Sequence, residues 1–414
     1  MLRAITGGVV LSIVAMAGCA STVEDGTTAT VESEATSLPP SPRIAVEEAK
    51  LVPSNEAGNF GHSIALQHDT AVVGAIGGAG SAHVFRRTTH GWQEQAQLLA
   101  EDGAAYHLFG DSVALYGTTI VVGAPYDDDN GDISGSAYVF VWDGSAWTQQ
   151  AKLLPSDGAA YERFGEAVAI SGDTAVVGTV TAGAYVFRRR NGVWEEQSRL
   201  VPIGGLDSED LVGQAVAMWG KTVLVGAILD DDRGLDAGAM LTFRRSTAGK
   251  ADQGTLLARD GTAGDWFGGS VAMVGTTAVV GASGDDDRAP MAGSAYVFEW
   301  RDAGWQQAVK LLPGDVSAGD RFGYAVALGE DTLVVGSVAD DAQGPYSGSA
   351  HVFERIDGAW SQLPKILAVD GEPADMFGHA VAVRGDTVLV GAPGDHGGGS
   401  VTVFALRDPD CDDH

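Results

Sequence analysis

The chain has 414 residues and, with 25 Lys and Arg against 55 Asp and Glu, a formal net charge of −30. A field of that sign repels the phosphates of nucleic acid, which excludes nucleic acid as a partner, and two cysteines, Cys19 and Cys411, are too few for a disulfide framework or a four-ligand zinc site. The 58 glycines are about twice the average usage of roughly 7% and stand beside 45% apolar content, which argues against both a disordered acidic chain and a helical bundle.

Residues 1–18 carry one cation at Arg3, an apolar run from Val9 to Ala17 and small residues before Cys19, the pattern of a signal peptide. The run is shorter than the roughly 20 residues needed to span a bilayer. Met16-Ala17-Gly18-Cys19 resembles the bacterial lipobox, which implies that Cys19 is the lipidation site and the new N-terminus. Several acyl chains on one residue meet the two-signal requirement for stable anchoring to a membrane, and Ala20 resembles the sorting position of an outer-membrane lipoprotein, facing the periplasm or the cell surface. Residues 19–45, rich in Thr, Ser, Glu and Pro without an apolar period, read as a disordered tether.

The remainder is a sevenfold repeat. Phe-Gly recurs at Phe60, Phe109, Phe164, Phe267, Phe322 and Phe377, with Val212-Gly213 in the missing place. Each copy then gives Val-Gly followed by a small residue, at Gly74, Gly123, Gly178, Gly226, Gly281, Gly336 and Gly391, and two copies spell Gly-Ala-Pro in full, at Gly123-Ala124-Pro125 and Gly391-Ala392-Pro393. With both motifs recurring seven times, the chain resembles the FG-GAP repeat proteins, whose repeats build integrin-α-type β-propellers. Each unit reads as four short strands between glycine-rich turns. Period-two alternation in the first strand puts Phe109, Asp111, Val113 and Leu115 on one face and Gly110, Ser112 and Ala114 on the other. A fourth-strand pattern precedes the first Phe-Gly, at Glu48 to Val52, and the chain ends after a third strand, Ser400 to Phe404. The expected fold is therefore all-β: a seven-bladed β-propeller of four-stranded blades over 46–407, its last blade closed by the N-terminal strand, with an acidic tail over 408–414.

Unit length varies in the loop between strands two and three, which alternation of strand direction puts on one rim with the four-to-one loops. That rim is acidic. The long loops carry Asp127, Asp128, Asp129 and Asp132; Asp230, Asp231, Asp232 and Asp236; Asp285, Asp286 and Asp287; and Asp340 and Asp341. The four-to-one loops add Glu162, Asp210, Asp265, Asp320 and Asp375. Clustered carboxylates are the hard oxygen ligands that Ca²⁺ takes, so Asp127, Asp129, Asp132, Asp230, Asp232, Asp285, Asp287 and Asp340 are candidate calcium ligands; as turn residues they need no ion at all. The D-x-[DN]-x-[DN]-G loop that the family resemblance implies between strand one and Gly-Ala-Pro is absent, its place taken by tight turns such as Ser171-Gly172-Asp173-Thr174.

A second candidate is the position after each Phe-Gly, which varies while its flanks hold: His62, Asp111, Glu166, Gln214, Gly269, Tyr324 and His379. The innermost strand lines a propeller's channel, so these residues are candidates to grip a ligand at its mouth. Arg384-Gly385-Asp386 falls on a one-to-two turn, and Trp92, Trp147, Trp194, Trp305 and Trp360 all start fourth strands, where packing accounts for them. No HExxH, GxSxG or Walker-type pattern is present.

The expected function is a non-enzymatic, membrane-tethered binding or adhesion module, monomeric, that presents its acidic rim to a protein, a glycan or a divalent cation. A propeller-hosted lyase or hydrolase and an envelope-assembly scaffold compete with it, and a His and a carboxylate converging in the channel would favour the enzyme. Cys19→Ser is expected to abolish incorporation of labelled palmitate and to shift the protein from the detergent phase to the aqueous phase on Triton X-114 partitioning.

Overall fold

Runs of Val, Ala, Tyr and Phe between glycine turns form 28 strands in seven antiparallel sheets of four. The structure, a computed structural model, describes residues 42–55, 57–203, 210–245, 251–302 and 304–409. The signal peptide expected over 1–18, Cys19 and most of the tether lie outside the described residues, as do Cys411 and the rest of the expected tail beyond residue 409.

Blade one comprises Phe60–Gln67, Thr70–Ala75, Ser81–Thr88 and Gly91–Leu98, hydrogen-bonded in that order. The first strand of every blade packs on the first strands of both neighbours, so seven first strands enclose the channel and the fourth strands lie outermost. Blade seven is assembled from both ends of the chain. Ala380–Arg384, Thr387–Ala392 and Ser400–Arg407 are completed by Ile44–Leu51, paired from Ile44↔Arg407 to Leu51↔Val401. The closing strand starts two residues before the boundary expected at 46. Arg43 adds the reason, because its guanidinium pairs with Glu354 of blade six at 2.9 Å and with Asp386 of blade seven at 2.7 Å.

Core clusters lie between neighbouring sheets. Phe109 packs with Val72 and Val84 of blade one and with Ile120, Tyr138 and Phe140 of its own blade. Its ring meets those of Tyr138 and Phe140 edge-on, at 5.4 and 5.9 Å between centroids. Val212-Gly213 takes the same place in blade four, with Val212 buried and Gly213 at φ 114°.

The first strands depart from simple alternation. In blade five Phe267 pairs with Ala282 but Ser270 pairs with Gly281, which leaves Gly268 and Gly269 in a bulge, and blades one and six repeat it. A two-residue bulge preserves parity: Phe109, Val113 and Leu115 still share one cluster, and Ala114 joins the next. The residue after Phe-Gly, however, leaves the strand face on which alternation puts Asp111 and turns to its counterparts around the channel.

The two glycine motifs turn out to be partners across the blade boundary. Gly110 takes φ 97°, and its carbonyl faces Gly74 of blade one so closely that a Cβ on Gly74 would lie 1.9 Å from that oxygen. The Ser63 hydroxyl of blade one donates to the same carbonyl at 2.8 Å. Gly123→Ala, which drives a Cβ to within 1.9 Å of the Gly165 carbonyl, is expected to destabilise the fold by about 2–3 kcal/mol. Gly314→Ala, where no atom lies within 4 Å of an added Cβ, is expected to leave the unfolding midpoint in urea unchanged.

Candidate functional site

The two-to-three and four-to-one loops share one rim, stitched by backbone bonds such as Tyr161 N–H to the Asp132 carbonyl and Gly319 N–H to the Pro290 carbonyl, at 2.8 and 2.9 Å. The rim carboxylates are drawn onto lysines of the fourth strands. In blade two, Lys152 Nζ lies 3.0 Å from Asp127, 2.5 Å from Asp129 and 2.7 Å from Asp102, which belongs to the loop arriving from blade one. Blade five repeats the arrangement, with Lys310 at 2.7 Å from Asp285, 2.5 Å from Asp287 and 3.0 Å from Asp260. Lys365 holds Asp340 at 2.9 Å, and Lys50 on the closing strand holds Asp395 at 2.6 Å and Asp370 at 2.7 Å. In blade one the charges are replaced by neutral groups, the Asn55 amide donating to Gln97 at 3.0 Å.

An ammonium therefore stands beside Asp127, Asp129, Asp285, Asp287 and Asp340, five of the eight carboxylates that the sequence offers as calcium ligands. Asp128 and Asp341, between the clamped positions, accept the Ile133 and Tyr346 N–H groups at 2.7 and 2.8 Å and close their own loops. Asp132 is exposed. Blade four has Thr255 in the register of Lys152; there Asp230 accepts the Asp232 N–H at 3.0 Å, and burial, then Asp232 and Asp231, push its carboxyl up. Among the described residues no group of three or more His, Cys, Asp or Glu side chains is arranged to hold a metal ion. The four-to-one carboxylates are local turn caps: Asp265, Asp320 and Asp375 each accept the N–H three residues earlier at 2.7 Å, and Glu162 accepts that of Ala159 at 3.0 Å.

The channel mouth is different, because its side chains turn to one another. Every residue before the Phe-Gly position is left-handed, including Leu108, Arg163, Leu211, Trp266, Arg321 and Met376 at φ 50–57°, and in most blades its carbonyl accepts the N–H of the residue after Phe-Gly, as from Asp111 to Leu108 at 3.0 Å. That turn aims six polar side chains around the mouth. His379 Nδ1 lies 3.1 Å from the His62 carbonyl, which only accepts, so Nδ1 carries the proton and Nε2 accepts from the Tyr324 hydroxyl at 3.4 Å. The His62 and His379 rings lie 4.7 Å apart, and His62 Nε2 meets Asp111 Oδ1 at 3.2 Å. Gln214 lies beside the Glu166 carboxyl and favours its charged form.

The sequence candidates Tyr324, His379, His62, Asp111, Glu166 and Gln214 thus form one arc over blades six, seven, one, two, three and four. Gly269 of blade five leaves the gap, bordered by the Ile228 side chain and the Trp266 carbonyl. Burial and then the Asp111 charge raise Glu166 to about 7, and burial and then His62 lower His379 to about 4, so the mouth takes and gives protons near neutrality while His379 stays uncharged. Arg163 lies over the Tyr126 ring at 4.8 Å and Arg321 over Trp266 at 6.0 Å, adding two cations beside the arc.

Of the remaining candidates, Trp92, Trp147, Trp194, Trp305 and Trp360 pack half-buried against the core clusters. Arg384-Gly385-Asp386 forms the expected turn on the other rim, and Asp386 is paired with Arg43. The lysines are the functional partners that the sequence reading does not single out, although Lys recurs just before an apolar residue at the end of the fourth strand at Lys50, Lys152 and Lys310, and just past it at Lys365.

A family model described as FG-GAP repeat matches seven segments, residues 45–85, 92–140, 147–188, 194–243, 251–298, 305–353 and 360–404. Each segment runs from the fourth strand of one blade through the third strand of the next, so the sequence repeat is offset from the blade by one strand. No curated protein matches the chain.

Burial favours the uncharged form of Asp127, but the Asp129 N–H, Lys152 and Tyr138 outweigh it and hold the carboxyl below the usual range; Asp102, Asp260 and Asp340 are likewise depressed against burial by their lysines. A depressed carboxyl contributes stability above its unfolded value of about 4, and that contribution is lost as pH falls through the lower folded value. Lys152→Met leaves buried Asp127 without its ammonium, and is expected to cost about 3 kcal/mol at pH 7 with a smaller acid-dependent loss below pH ~4, read from urea midpoints across pH.

Proposed function

The chain belongs to the FG-GAP repeat family, and we propose that it works as a binding propeller, carried to the cell envelope by the lipid anchor expected at Cys19, that seats a polar ligand in its channel mouth. The observation that carries this reading is the continuous arc from Tyr324 through His379, His62, Asp111 and Glu166 to Gln214. Six positions that differ from blade to blade occupy equivalent places on a nearly invariant backbone and meet at one point, which packing alone does not require. The acidic rim supports the fold rather than the ligand, because its buried carboxylates in blades two, five, six and seven are engaged by lysines.

Orientation supports the same reading. The closing strand enters at Ile44 beside Arg407, on the rim of the one-to-two and three-to-four turns. The chain thus joins the ring at the end of the channel opposite the mouth.

One observation favours a second reading. His62 and Asp111 meet at 3.2 Å beside a carboxyl with a value of about 7, a base, an orienting carboxylate and an acid within one site. The enzyme reading, a lyase or hydrolase acting at the mouth, rests on that trio.

Titrating the intact chain with a panel of mono- and disaccharides, amino acids and short peptides is expected to give a saturable change in tryptophan fluorescence for at least one class. The change should vanish in His62→Ala and Glu166→Ala variants whose melting temperatures match the parent. Binding that survives both substitutions would remove the mouth as the seat, whereas product formation lost in His62→Ala would favour the enzyme.

A further inference from the structure

We infer, resting on the mouth as the ligand seat, that the ligand is an uncharged oligosaccharide whose end unit occupies the mouth and whose following units run outward over Tyr106 and Tyr161. These two tyrosines lie five residues before Asp111 and Glu166, on the loops that enter blades two and three, and their side chains are 80% and 62% exposed. Their backbones are left-handed, at φ 73° and 69°. The equivalent positions of blades five and six hold Gly264 and Gly319 at φ 85° and 89°, and blade seven holds Ala374 at 69°.

The fold itself dictates the left-handed backbone. Tyr106 N–H donates to the Gly78 carbonyl of blade one and Tyr161 N–H to the Asp132 carbonyl of blade two, both at 2.8 Å, the bond that Gly319, on the loop entering blade six, makes to Pro290 of blade five. Glycine meets that demand without strain, and a β-carbon carrying a phenol ring meets it only against steric resistance. The rings return nothing to the core, since they stand in solvent. Two neighbouring blades therefore keep exposed aromatics at left-handed positions on the loops that lead into the two carboxyl-bearing strands of the mouth, where glycine would carry less strain.

The chemistry of the mouth selects the ligand class. A saccharide unit offers an edge of hydroxyls that both donate and accept, and a face of C–H groups. The arc offers the matching edge: the His379 and His62 nitrogens, the Gln214 amide, the Asp111 carboxylate and the Glu166 carboxyl. Ile228 at the Gly269 gap offers an apolar contact. Exposed tyrosines continue that mix of flat apolar ring and polar tip along the rim. A chain of net charge −30 disfavours anionic glycans and leaves neutral ones.

The test is calorimetry on the intact chain with maltohexaose, cellohexaose and chitohexaose, the corresponding monosaccharides, and hexagalacturonate as the anionic control. One neutral hexaose should bind more tightly than its monosaccharide, and Tyr106→Gly and Tyr161→Gly should each weaken that hexaose about tenfold. Monosaccharide affinity should stay unchanged and the melting temperature should hold or rise, because glycine relieves the left-handed backbone. A purely structural role for the tyrosines would move the melting temperature and leave affinity alone. Hexaose binding that ignores both Tyr→Gly variants but is lost in Glu166→Ala overturns the outward path while leaving the mouth as the seat. Binding that also ignores Glu166→Ala overturns the seat itself. Preference for hexagalacturonate, or no binding of any neutral saccharide, overturns the ligand class.

Discussion

Seven times around the ring, the carbonyl of the glycine after the Phe position rests against the second-strand glycine of the preceding blade, from Gly110 on Gly74 to Gly61 on Gly391. A side chain at any of the second-strand positions would stand 1.9 to 2.2 Å from that oxygen, so both motifs answer to one steric demand across the blade boundary. The rest of the molecule follows from that contact. It fixes how near the first strands approach, which sets the channel width and seats each Phe between two sheets. It also requires the bulge and positive-φ glycine that carry the following side chain out of the strand face. The scaffold therefore supplies seven equivalent sockets at the channel mouth, and what fills them is free to vary.

Charge is divided between two tasks in the same spirit. On the rim, each clamping lysine gathers a carboxylate from its own blade and one from the incoming loop, so an acidic surface becomes a set of fasteners between consecutive blades, and Lys50 fastens the one joint that the chain does not connect covalently. At the mouth, Asp111, Glu166, His62 and His379 face one another without a lysine. Burial there spreads the protonation equilibria apart, with Glu166 near 7 and His379 near 4, so the mouth holds mixed donors and acceptors at neutral pH.

How much of this is legible in the sequence depends on how far apart the interacting residues lie. The blade count, the strand order and the closure by residues near Lys50 can be read because two motifs recur at nearly constant spacing. The six mouth residues can be read as the variable column in an otherwise repetitive alignment of the chain with itself. The bulge cannot, since two inserted residues leave alternation intact and conceal the diversion of Asp111. Nor can the clamps: Asp102, Asp127 and Asp129 are separated from Lys152 by 50, 25 and 23 residues, and only the folded blade brings them to one point. Tyr106 and Tyr161 look like ordinary loop residues until their backbone angles are set beside those of Gly264 and Gly319.

The closing strand has a mechanical consequence. A pull on the chain at residue 42 would load the outermost strand of blade seven, the fourth strand that no turn joins to its own sheet. Tension along the strand axis bears on the seven paired positions from Ile44↔Arg407 to Leu51↔Val401 together, in shear, instead of unzipping them in turn. Arg43, held by Glu354 and Asp386 at the point of entry, takes the first share of that load and passes it into blade six as well as blade seven. Load entering there would thus be shared by two blades before the closing strand could part from its sheet.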